Sequence, residues 1–190
     1  MHHPLEFLPT KLRKPLFFTL LALTLVLFAV FGVLDQPLRT YAAPNGIVSF
    51  ELAWTPENAN LIVSSWQRSQ SGFPDDVIVL TAKPQHYAAF GLGLDYLFMP
   101  AYSLALSLGI LLAAGKHPGW FGSFGGMTGW SAVGAAIFDA VENYALFRIL
   151  LGEVISPYPE IAAFCATIKF VLILLGIIYV VAGWIMPKRS

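Results

Sequence analysis

Cysteine is nearly missing from this 190-residue chain. The single thiol, Cys165, excludes an internal disulfide and a CxxC redox pair, and a lone cysteine in an apolar run reads as a small buried residue. Charge is scarce as well: Asp, Glu, Lys and Arg make up 12% of the residues and cancel to a net charge of +0. With no basic excess and no basic face, nucleic-acid binding has no electrostatic footing. Histidine offers no ligand set either. His86 and His117 fall on opposite sides of the membrane in the topology below, and His2 and His3 form a pair at a terminus with no third ligand, so neither a metal nor a cofactor is expected. There is no serine-nucleophile motif. Gly115-Lys116-His117 lacks the Ser or Thr that a phosphate loop places after its lysine.

What is abundant is apolar surface. A hydrophobic content of 57% and a mean hydropathy of +0.69 are not soluble-domain values. The runs Leu16–Leu34, Ala88–Ala114, Met127–Leu151 and Ile161–Met186 are each long enough to span a bilayer at about 1.5 Å per residue. The expected fold class is an all-α integral membrane protein. Four transmembrane helices carry a small extracytoplasmic cap, a short strand plus a helix, between the first and second.

Lys11, Arg13 and Lys14 precede the first run, Lys116 separates the second and third, and Lys188 and Arg189 follow the fourth. By the positive-inside rule these places are cytoplasmic, which puts both termini inside, in a bacterial inner or internal membrane. Residues 1–15 are then a cytoplasmic lead, 35–87 the external cap, 115–126 a cytoplasmic loop, 152–160 an external loop and 187–190 a tail. The first run exceeds the roughly 7–15 residues of a signal-peptide core, so it reads as an uncleaved anchor.

The cap has periodic signals of its own. Ile47–Ala53 (IVSFELA) alternates like a short strand, and Thr55-Pro56-Glu57 reads as an N-cap with proline at the first helical position. A helix from Pro56 to about Gln67 follows, with Leu61, Ile62, Ser65 and Trp66 near one face. Val77–Thr81 is a second apolar run, and Pro84 starts the helix into the second span. GIVSFELA (Gly46–Ala53), GLDYLFMPAYSLAL (Gly93–Leu106) and DAVENYALFRIL (Asp139–Leu150) together resemble a group of small four-span bacterial membrane proteins to which no activity is attached. The resemblance implies the four-span layout from Gly46 onward and no particular chemistry.

The stretch Ser131–Leu151 organises the rest, because it is long enough to cross a bilayer yet carries Asp139, Glu142, Asn143 and Arg148. A charge at mid-membrane costs roughly 2.5–3.5 kcal/mol, so such groups must be paired, protonated or hydrated. Helical spacing puts Asp95 and Tyr102 on one stripe of the second span, Asp139, Glu142 and Asn143 on one face of the third, and Lys169 with Cys165 and Gly176 on the fourth. Counted inward at about 1.5 Å per residue, Asp95 lies roughly 10 Å deep, Lys169 roughly 12 Å, Glu142 roughly 13 Å and Asp139 roughly 18 Å. Arg148, close to the outer end, reads as an interfacial anchor. Three deep acids therefore face one deep base, and one carboxyl is left to hold a proton, meet a cation or touch water.

These observations favour a non-enzymatic protein that binds or passes a small-molecule, amphipathic or lipid ligand at Asp95, Tyr102, Asp139, Glu142, Asn143 and Lys169. Two alternatives stand beside it. One is an accessory or assembly subunit of a larger membrane complex or homo-oligomer, with the polar layer as association glue of about 0.6–2 kcal/mol per contact. The other is a membrane-embedded enzyme with Asp139 or Glu142 as acid or base.

Overall fold

A computed structural model of the chain describes residues 2–67, 83–117 and 119–187. The element order is α1 (Thr10–Leu34), a 3-10 turn (Gln36–Leu38), α2 (Ile47–Glu51), α3 (Pro56–Gln67), α4 (Pro84–Ala114), α5 (Trp120–Leu150) and α6 (Tyr158–Ile185). Among the described residues every regular element is helical. Three of the helices, α1, α4 and α6, are long and apolar enough to cross a membrane. The 31-residue α5 is as long as α4, but Asp139, Glu142 and Arg148 dilute its apolar content.

The strand expected over Ile47–Ala53 does not form; its first five residues are the short helix α2. A run this short fits a period of 2 or 3.6 equally well, and a tertiary contact decides between them. Asp35 Oδ1 accepts the Ile47 amide at 2.7 Å, which satisfies a donor of the first helical turn. Gly46 makes the approach feasible. Its φ of +58 and ψ of −127 suit glycine, and a Cβ there would lie 2.0 Å from Asp35 Oδ1. Arg39 holds the other oxygen of the same carboxylate at 3.0 Å.

The chain divides into two compact units. The first comprises Met1–Leu27, Leu97–Ala140 and Thr167–Ser190. Glycine lets its helices approach closely: a Cβ on Gly125 would fall 2.6 Å from both the Ala114 methyl and Tyr179 Oη, and one on Gly176 2.8 Å from Leu106. Tyr179 stacks on Phe121 at 4.3 Å between ring centroids and donates to the Phe121 carbonyl at 2.7 Å. His117 Nε2 lies 2.9 Å from the Gly183 carbonyl. These contacts explain why α5 begins at Trp120 and takes in the glycines that, by propensity alone, read as a loop over 115–126.

The second unit comprises Phe28–Tyr96 and Val141–Ala166. Its core joins Leu38, Phe50, Ile62 and Trp66 to Ala88 and Leu92 of α4, Leu146 and Ile149 of α5 and Ala162 of α6. Trp66 is wholly buried, donates Nε1–H to the Leu38 carbonyl at 2.8 Å and meets Phe50 edge to face at 5.1 Å. Burial of each such ring contributes about 1.5–3 kcal/mol. Thr55 starts α3 as expected for an N-cap, its Oγ1 accepting the Asn58 amide at 3.2 Å. The face of α3 differs from the expectation. Ala59, Ile62, Val63 and Trp66 point inward, while Leu61 stays 61% exposed. Before the cap, Trp54 adopts φ 61 with its ring half-exposed, and the Thr55 amide closes a tight turn on the Ala53 carbonyl at 2.7 Å. The apolar run 77–81 lies outside the described residues.

Candidate functional site

In the first unit the helices bring together three of the residues singled out from the sequence. Asp139 on α5 accepts Lys169 Nζ of α6 on Oδ1 at 2.9 Å and Tyr102 Oη of α4 on Oδ2 at 3.0 Å. Each partner comes from a different helix: Tyr102 of α4 packs in a cluster with Met99, with Ala135 and Ala136 of α5 and with Ile173 of α6, so the three helices meet at this level. Asp139 and Lys169 are 2% and 6% exposed, which is low enough to decide the chemistry. A carboxylate held on both oxygens by charged and hydroxyl donors is a strong interhelical tie. Lys169 Nζ also sits 4.9 Å over the Phe170 ring.

The second unit assembles a different pair. Asn143 Nδ2 donates to Asp95 Oδ2 at 3.0 Å and to the Leu92 carbonyl at 3.1 Å. The amide therefore bridges α5 to α4, and a second acceptor is met inside the helix that carries Asp95. Asn143 and Glu142 are buried to 1% and 0% exposure, while Asp95 is half-buried. Arg148 forks onto Glu153 through Nε and Nη2 and lies 5.7 Å from the Tyr158 ring, in keeping with a local anchor role. Among the described residues no three His, Cys, Asp or Glu side chains come together as a metal ligand set.

Two features were not legible in the sequence. The first is an open cleft of about 450 Å³ in the second unit, lined by Tyr41, Asn45, Val48, Ser49, Leu52 and Leu61 among others, with no charged side chain in its wall. It exists because α2 is a helix; a strand over the same residues would present alternate side chains differently. The second is the N-terminal segment of the first unit. His3 is 8% exposed, its Nδ1 accepts the Leu5 amide at 3.1 Å, and Trp130 Nε1 of α5 donates to the His2 carbonyl at 3.1 Å. Arg13 ties the segment to α1 through the Glu6 and Leu8 carbonyls at 2.7 and 2.9 Å. Burial pushes the His3 imidazole from 6.5 down to about 4.

The chain matches no protein-family model, no curated protein and no solved structure. Function therefore rests on the geometry of these sites.

Proposed function

We propose that this is a non-enzymatic four-span membrane protein of a bacterial inner membrane that binds a small uncharged amphipathic molecule, or the end of a lipid, in the cleft of an extracytoplasmic cap. The carrying observation is the cleft: about 450 Å³ falls within the usual range for small-molecule sites. Val48, Leu52 and Leu61 supply apolar wall, while Asn45, Ser49 and Asn58 supply neutral polar groups, so an ion gains nothing there and an amphiphile does. The fourth span is α5. Its Asp139, Glu142 and Asn143 are buried, as charged and amide groups on a membrane helix require, and the motif resemblance favours the same layout. Both termini are cytoplasmic in this reading, from the distribution of lysine and arginine.

In this reading the ligand is held in the cap cleft rather than among the intramembrane polar residues. Asp139, with both oxygens engaged, is poorly placed as an acid or base. The same engagement favours one second reading, an accessory subunit whose polar contacts hold its own helices together.

Native mass spectrometry of the detergent-solubilised protein tests the choice. The wild type should retain a small molecule that Val48→Trp, which fills the cleft, loses. Retention of a protein partner instead supports the accessory reading, and retention of a small molecule equally by both forms removes the cleft as its site.

A further inference from the structure

Burying a histidine in the segment that leads into α1 needs a specific host, and α5 provides one. A Cβ on Gly129 would lie 2.2 Å from His3 Nε2, so only glycine at that position admits the ring. Because Nδ1 accepts the Leu5 amide, the neutral ring carries its proton on Nε2. That Nε2 is buried with no hydrogen bond of good geometry, while the Ser107 backbone of α4 lies close enough to favour a proton on the ring. Ser107 of α4 donates its hydroxyl to the Gly129 carbonyl at 3.3 Å, which draws α4 and α5 together around the ring.

The geometry points to a pH-sensitive latch: neutral His3 seats residues 2–9 against α4 and α5, and protonation of the ring releases them. Two costs oppose the charged form. The imidazolium would be largely removed from solvent, and a protonated Nδ1 would point a donor at the Leu5 N–H, itself a donor. Around the ring, the Ser107 backbone and then Glu6 favour the cation and Arg13 opposes it, and Glu6 is already engaged with His2 at 3.1 Å. From the packed helices Ser107, Gly129 and Trp130 contribute no formal charge, Ser107 acting through its backbone alone. Burial outweighs the Ser107 backbone and Glu6 together, consistent with the fall from 6.5 to about 4.

The sign follows from linkage. The docked state binds fewer protons than the released one, so docking is fully favourable above 6.5 and weakens as pH falls toward 4. Over that window the docking constant drops roughly tenfold per pH unit. This latch is independent of the cap cleft.

The test is hydrogen–deuterium exchange of the full chain in nanodiscs between about pH 7.5 and 4.5, compared at each pH with His3→Asn so that intrinsic exchange cancels. Asparagine accepts the amide two residues on without titrating. Protection of residues 2–9 in the wild type should fall roughly tenfold per pH unit below 6.5 relative to His3→Asn. Gly129→Ala should be unprotected even at pH about 7.5, since its Cβ occupies the ring's place. A constant ratio between wild type and His3→Asn, or wild-type protection in Gly129→Ala, overturns the latch. If His3→Asn does not dock, an NMR titration of His3 in the wild type decides: a midpoint well below 6.5 upholds the proposal, and one at or above 6.5 overturns it.

Discussion

Lys169 Nζ and Asp139 Oδ1 meet at 2.9 Å between α6 and α5, with side chains only 7% and 3% exposed. Desolvation makes such a pair weak evidence of net stability, yet leaving one member alone is costly. Lys169→Met should therefore destabilise by about 3–5 kcal/mol, while the double change Lys169→Met with Asp139→Leu should cost far less. Equal losses in denaturant unfolding of the two forms in detergent would mean that the pair is not formed.

Tyr102 holds the other oxygen of Asp139 at 3.0 Å. Removing that hydroxyl in Tyr102→Phe keeps the ring packing and should cost about 1.5–3 kcal/mol, the range for a hydrogen bond to a charged group. The effect should shrink in the Asp139→Leu background, because the acceptor is gone. Additive losses would place the hydroxyl in some other interaction.

Gly46 combines a positive φ with a carboxylate where a Cβ would be. Gly46→Ala should lose at least about 1–3 kcal/mol from backbone strain alone. Adding Asp35→Ala should not restore stability, since it removes the clash but keeps the strained φ and deprives the Ile47 amide of its acceptor. An unchanged melting temperature in Gly46→Ala would show that the turn relaxes freely.

Asn45 lies in the cap at the rim of the cleft and is exposed. In a background with Cys165→Ala, Asn45→Cys should react with a membrane-impermeant maleimide added to intact cells. Labelling only after the cells are opened would reverse the proposed topology.

Much of the fold could be read from local signals. Thr55 and Pro56 mark the start of α3, and Pro84 marks that of α4, because capping chemistry acts within one turn. Elements decided by distant partners could not be read. α2 depends on Asp35, the inward face of α3 on Phe50 and Leu38, and the early start of α5 on Ala114 and Tyr179. The polar residues divide the same way. Helical stripes placed Tyr102, Asp139 and Lys169 on inward faces, but spacing along a stripe does not say that Tyr102 meets Asp139 or that Asn143 meets Asp95. His3 was hidden for a further reason: its burial is permitted by what Gly129 lacks.

Trp54 holds a left-handed backbone, which a bulky side chain adopts at a cost of order 1–3 kcal/mol, while its ring is 47% exposed and recovers little of that by burial. Glycine or asparagine would occupy the same φ more comfortably. A library randomised at this position and sorted on folding alone should thus drift away from tryptophan. At position 54, folding stability and the present sequence pull in opposite directions.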